Sequence, residues 1–324
     1  MGWKFLKSDD FDCMLQARDG HGPRRTGTLL IGRTMMKRLS RDKFTTVLDP
    51  KLPPSITVAS GEEFVVETWD AYMGTWGAHE QPQVMGPATG PIAVDGAGPG
   101  DALRVEILAI KAGAAAMHDV RAGRGFLGEE FTKRFPTVMP IQDGHLLFHG
   151  GLKIPINPSV GLIATTPSEV QQTASDSGPY GGDIDMKELT AGSTIWLPVF
   201  VPGALLVLGD CHAVVGDGAV GGTGAECSAE ITLRVNVEKG RRLERPRALT
   251  AQYFVTLAHG EDVGQAMKQA VRDMVNFLVA EKGMEAYAAY SLLSLAGDIR
   301  VSRTLRPISP VKMLLSRKVL EQAG

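Results

Sequence analysis

From Phe44 onward, apolar and polar positions alternate in short runs separated by glycine-centred turns. Ser55-Ile56-Thr57-Val58 precedes the turn Ser60-Gly61-Glu62, which leads into Phe64-Val65-Val66-Glu67-Thr68. Pro99-Gly100-Asp101 leads into Ala102–Leu108 in the same way, and Ala191-Gly192-Ser193 into Thr194–Leu197. A period of two gives a strand one apolar face, and glycine supplies the positive φ of a tight reversal. Leu205-Leu206-Val207-Leu208-Gly209 is apolar throughout, as in a strand buried on both faces. The period changes near Gly260. Val263, Met267, Ala270, Val271, Met274, Val275, Leu278 and Val279 recur at helical spacing, predicting an amphipathic helix over Glu261–Lys282 that stops at Gly283. A second helix is expected over Glu285–Leu295, followed by a strand at Ile299–Ser302.

The fold class this predicts is α+β and mainly β, with a sandwich or barrel-like body and a helix-containing α+β portion at the C-terminal end. Residues 1–43 read as an N-terminal extension with one apolar run, Thr28–Ile31. Residues 44–245 read as the β-rich body, and residues 246–324 as the α+β portion packed on it.

Composition sharpens this picture in three places. With 38 glycines, 19 prolines and 6% aromatics in 324 residues, the turns are well supplied and the core falls to Val, Ile, Leu and Ala. A net charge of −2 with interleaved signs offers no field for nucleic acid or a membrane surface. The basic groups Arg121–Arg134 and Arg241–Arg247 read as solvated faces. Cys13, Cys211 and Cys227 have no zinc-finger or CxxC spacing and form no disulfide framework, which fits a reducing cytoplasm. The N-terminal MGWKFLKSDDFDC carries acids where a signal peptide needs an apolar run, and no stretch approaches the roughly 18–20 apolar residues of a spanning helix.

The candidate chemistry lies between Ser177 and Glu226. Asp183 and Asp185 stand at one end of an apolar, turn-broken stretch, with Asp210 and His212 at the other; Asp217 and Glu226 follow. A hairpin between the two ends would bring both pairs to one sheet rim. Crowded carboxylates and an imidazole need a cation or a proton to settle their charge, so a metal-assisted hydrolytic site is the leading expectation. Residues two apart on a strand share a side, so Asp210 and His212 form a metal half-site. The alternative for this pair is a turn-bonding aspartate and a satisfied core histidine. Asp185 has the alternative of capping a short helix at Met186–Leu189. Cys211, between the pair, should face the core. Of two glutamates four apart, Glu226 is the candidate ligand or base and Glu230 reads as solvated. Asp70 and His79 read first as turn or surface residues. The cation is zinc on the strength of His212, with calcium or magnesium favoured if only carboxylates ligate.

The segments LPPSITVASGEEFVVET, GPATGPIAVDGAGPGDALRVEI, GPYGGDIDMKELTAGSTIWLPVFVPGALLVLGDCHAVVGDGAVGGTGAE and AYAAYSLLSLAGDIRVS resemble the acetamidase/formamidase family of amide hydrolases from Lys51 to Ser302. The resemblance implies a β-rich α+β fold, hydrolysis of the C–N bond of a small linear amide with release of ammonia, and a homodimer. Under it, Asp185, Asp210 and His212 hold the divalent metal, and Asp183 is an added ligand or an orienter of ligands. Glu226 or Asp217 serves as the base beside His212. The backbone N–H groups of the Gly216–Gly224 loop, Gly218 and Gly222 among them, face the oxyanion, and Tyr180 faces the substrate. The family usually reads GPHGGNMD and GDGEVCGTG. Here Tyr180 replaces a histidine, Asp183 an asparagine, Ala219 a glutamate and Gly221 a cysteine. Asp185, Asp210, His212, Asp217 and Glu226 keep the pattern. These departures open two alternatives: a hydrolase of a lactam or larger amide, and a non-catalytic small-molecule-binding homologue. If Asp183 restored the charge missing at 219, the carboxylate count would be unchanged.

Overall fold

The structure, a computed structural model, describes residues 36–76, 86–303 and 308–323. His79, Cys13 and the Thr28–Ile31 run lie outside the described residues. Residues 36–324 form one compact unit.

Two large sheets enclose the core, as the alternation predicts, and the fold is α+β and mainly β. Among the described residues, one sheet has nine strands. Its centre runs Glu63–Thr68, Ala229–Glu238, Ala102–Ala112, Thr194–Pro198, Arg247–Leu249 and Tyr253–Gly260. The expected strands at Phe64, Ala102 and Thr194 are all present, the second extended by four residues to Ala112. Val66, Val105, Ile107, Ile195, Ile231, Leu233 and Val235 are fully buried and alternate with exposed or half-buried neighbours. Each such aliphatic chain contributes about 1.5–3 kcal/mol through burial. They meet Ile92, Val160, Ile163, Leu206, Leu208 and Cys211 of a second, twelve-stranded sheet in a single core.

The C-terminal strands do not form a separate layer. Arg247–Leu249 pairs with Thr194–Pro198, and Tyr253–Gly260 and Ser309–Ser316 continue the nine-stranded sheet. Helix α1 (Val263–Lys282) begins two residues later than expected because Asp262 caps it, accepting from Gln265 N at 3.0 Å. It ends at Gly283, φ 67°, as anticipated. Its buried stripe of Ala266, Ala270, Met274 and Leu278 packs with Ala289 and Leu293 of α2 (Ala286–Ala296) on Phe254, Val311, Met313 and Leu315. The helices thus cover the outer face of that sheet. No helix of the described residues is long and apolar enough to cross a membrane.

The hairpin expected between Asp185 and Asp210 is absent. Thr194–Pro198 lies in the nine-stranded sheet, whereas Leu206–His212 lies in the other. The chain crosses between the sheets through Pro202-Gly203, and Ala204 and Leu205 take positive φ values of 59° and 49°. Convergence has a different origin. The strand Ser159–Ala164 runs antiparallel to both Gly181–Asp183 and Leu206–His212, with Leu162 opposite Asp183 on one side and Gly209 on the other. On its far edge Leu206–His212 pairs with Glu226–Cys227, which sets His212 opposite Glu226. Neighbouring strands are about 4.8 Å apart, so this order alone gathers Asp183, Asp210, His212 and Glu226.

Candidate active site

Two aspartates at this junction have unusual backbones. Asp185 (φ 45°) and Asp210 (φ 50°) occupy the left-handed region, which aspartate tolerates better than most residues. Asp185 follows the end of its strand, where Ile184 N and Asp185 N both donate to Gly161 O at 2.9 and 3.0 Å. No helix follows Asp185, so its capping alternative falls away. Gly161 faces the junction. A Cβ there would lie 2.4 Å from Asp210 O, 2.7 Å from His212 Cε1 and 2.9 Å from Asp185 Oδ1. Gly161→Ala is therefore expected to displace all three residues and lower any turnover that depends on them by about 10²-fold. Far-UV circular dichroism should be unchanged, and wild-type turnover in this variant would show that the three positions are not reactive.

The cluster is buried and charged. Asp185, Asp210, His212 and Glu226 are each less than 10% exposed. His212 Nε2 stands 3.2 Å from Glu226 Oε1 and 3.7 Å from Asp185 Oδ1, and Glu226 Oε1 also accepts from Gly224 N at 3.0 Å. Burial pushes the Asp185 carboxyl up to about 7, with Asp183 adding to the rise. Asp210 is also raised well above its ordinary value, by burial first and by Glu226 second. Burial opposes the imidazolium of His212, but Glu226 and Asp185 outweigh it and hold the ring's pKa above its usual value. Glu226 stays low despite burial because His212 faces it.

Ligand atoms of Asp185, Asp210 and His212 lie within 4.8 Å of one another. Asp185 Oδ1, Asp210 Oδ1 and His212 Nδ1 are buried and meet no hydrogen-bond partner in the protein. Two carboxylate oxygens and an imidazole nitrogen suit zinc. His212 Nε2 faces both Glu226 Oε1 and Asp185 Oδ1, so the imidazole is held among the carboxylates that would share the ion. The residues present therefore fit a divalent cation, and buried anions left without one would be costly.

Asp183 stands apart from this set because it has a cation of its own. Arg303 Nη1 donates to Asp183 Oδ2, and Arg303 Nη2 donates to the carbonyl oxygen of Asp183 at 2.9 Å. Together with Tyr72, Arg124, Ser175 and Thr223 they wall a cavity of about 40 Å³ that opens on Asp185, Asp210, His212 and Glu226.

The remaining expected residues go elsewhere. Asp217 is held by Lys187 and Lys312, each at 2.6 Å, which keeps its pKa low against partial burial; it does not line the cavity. The Gly218 N–H donates to Ser302 O and the Gly222 N–H to Ala219 O, so neither is free for an oxyanion, although Gly222 lines the cavity. Tyr180 packs in an apolar cluster with Leu48, Ala88, Leu162 and Val207, its hydroxyl pushed up to about 12 by burial; it does not line the cavity. A side chain at Gly221 would meet the His118 ring at 3.3 Å. Glu230 pairs with Arg38 and Lys111 at the surface. Asp70 is a turn residue, accepting from Tyr72 N and Gly74 N at 2.9 Å, and thereby sets Tyr72 at the cavity. Cys211 faces the core with its thiol pushed up to about 12 by burial. It lies opposite Cys227, and both thiols are free.

Sequence reasoning missed Gly161, Arg303, Tyr72, Arg124 and Thr223. Arg303 follows directly on the AYAAYSLLSLAGDIRVS segment, yet nothing in its neighbours signals an active-site role.

The model of the acetamidase/formamidase family matches residues 37–177 and 168–306. A predicted acetamidase/formamidase from Thermoanaerobacter tengcongensis is 33% identical, with a TM-score of 0.85 over 89% of this chain and 98% of that one. An acetamidase from Bacillus halodurans is 35% identical, with a TM-score of 0.84 over 89% of this chain and 99% of that one. The formamidase of Methylophilus methylotrophus is 27% identical over 59% of this chain and 63% of its own length. The chain spans less than two thirds of the length of the curated relatives it matches.

Proposed function

The chain belongs to the acetamidase/formamidase family, and from that premise we propose that it hydrolyses the C–N bond of a small linear amide to a carboxylic acid and ammonia. The observation that carries the reading is the buried group Asp185, Asp210 and His212, whose ligand atoms lie within 4.8 Å of one another. These residues would hold a divalent cation, zinc by their chemistry, whose Lewis acidity polarises the amide carbonyl and acidifies water.

The rest of the reaction falls to the protein's own groups. Glu226 keeps its carboxylate ionised through His212 and has Oε2 buried without a partner. That oxygen takes a proton from the attacking water and returns it to the departing nitrogen. His212, gripped by Glu226, is fixed in orientation. Asp217, tied to two lysines, has no part in this step. The buried polar lining of the cavity suits a small polar amide.

The two free buried thiols support a place in the cytoplasm. The exposed Tyr287, Tyr290 and Leu295 of α2 support a homodimer that covers them. The function is tested by ammonia release from formamide, acetamide and a set of larger amides and lactams. Turnover is expected to be highest with the smallest linear amides. Ring opening of a lactam without release of ammonia from any linear amide would replace this reading.

A further inference from the structure

One stretch of the cavity wall has no task in the reaction above. Arg303 and Asp183 are 5% and 4% exposed, and both line the cavity. A guanidinium has five N–H donors in a rigid plane. Here Nη1 donates to Asp183 Oδ2, and Nη2 donates to Asp183 O at 2.9 Å and Ser175 O at 3.3 Å. The Arg303 frame is therefore locked on its Nη side. Its Nε–H is buried without a partner, 3.6 Å from Asp185 Oδ2 and so beyond hydrogen-bond reach. Asp183 Oδ1 is likewise buried and unpartnered. One unused donor and one unused acceptor thus sit on two side chains already tied together.

A primary amide carries the complementary pair, a carbonyl oxygen that accepts and an N–H that donates. We propose that Arg303 and Asp183 read the unsubstituted carboxamide, with Arg303 Nε–H donating to the substrate carbonyl and Asp183 Oδ1 accepting one N–H of its NH2 group. They are then specificity-determining residues for primary over N-alkylated amides. A carbonyl oxygen has two lone pairs, so this bond leaves one for the polarisation the reaction needs. Charge at the pair supports a neutral substrate, because the Arg303 guanidinium is already matched by the Asp183 carboxylate.

This proposal rests on the amide-hydrolase reading, and the experiment separates the two. Steady-state kinetics with acetamide and N-methylacetamide, scored as ammonia and methylamine, are compared for the wild type, Arg303→Lys and the double variant Asp183→Asn/Arg303→Gln. Lysine keeps a cation for Asp183 but offers no second donor at the Nε position. The double variant is electrically neutral and close in shape, which guards the fold if a single change does not. The wild type is expected to prefer acetamide by at least about 100-fold. Each folded variant is expected to lose at least about tenfold of that preference, chiefly through KM for acetamide, as hydrogen bonds to charged groups would imply. Folded variants with the wild-type preference and KM would reduce the pair to a structural ion pair and overturn the proposal. A wild type that uses both amides equally would overturn it without any variant. A wild type that turns over neither amide would overturn the amide reading and this proposal with it.

Discussion

Asp210→Asn is expected to lower kcat/KM for acetamide by about 10³-fold while the protein folds normally. The substitution keeps the shape of the side chain, and asparagine also tolerates the positive φ that position 210 requires. What it removes is an anionic oxygen from the three-residue set. Carbonyl polarisation by a bound cation is worth several kcal/mol, and each 1.36 kcal/mol is tenfold in rate, so losing about 4 kcal/mol gives the expected factor. Stability should move the other way. Asp210 is buried beside Glu226, Asp183 and Asp185, all of which disfavour its charge. A neutral amide relieves that repulsion, so the thermal midpoint of metal-free Asp210→Asn should equal or exceed that of metal-free wild type. Kinetics, metal content and a thermal scan on the same preparation check this. A fully active Asp210→Asn protein would remove Asp210 from the chemistry.

Metal removal is expected to have an effect of similar size. Protein dialysed against a chelator should lose at least about 100-fold of its ammonia release and recover it with one equivalent of zinc. Ligand linkage adds a second readout. A cation at a hundredfold excess over its Kd stabilises the folded state by about 2.7 kcal/mol, so the metal-free protein should unfold at a lower temperature. Recovery with magnesium or calcium and not with zinc would mean that the carboxylates outweigh His212 in selecting the ion. Full turnover by protein free of metal would end the metal-assisted mechanism and leave His212 and Glu226 to be explained without it.

The strands were legible because their signal is local. Alternation over Phe64–Thr68 and Ala102–Leu108 and the helical stripe from Val263 to Val279 each fall within one element, and each element formed where it was expected. Asp185, Asp210, His212 and Glu226 were legible as candidates because acids and an imidazole cluster at glycine-rich strand ends, and the structure brings them together. Their route to one another was not legible. A hairpin is the simplest way to join two neighbouring runs, but the pairing uses Ser159–Ala164, which lies upstream and carries no acidic or imidazole side chain. Arg303 was invisible for the same reason, since its partner Asp183 is 120 positions away. Gly161 showed only as one glycine among 38, and its meaning depends on which side chains fold over it. The lysine pairing of Asp217 was not legible, because Lys312, which holds it from the far sheet, lies toward the other end of the chain.

The strand Ser159–Ala164 also has a kinetic consequence. Its two neighbours come from later in the chain, and Arg303 joins later still, so no early segment holds a complete set of ligands. Structures built on distant pairings assemble slowly, since loop closure comes before any contact rewards it. Catalytic competence is therefore a late event on the folding route. During refolding, turnover should return only once the sheet has zipped from end to end, well after the helical signal has recovered.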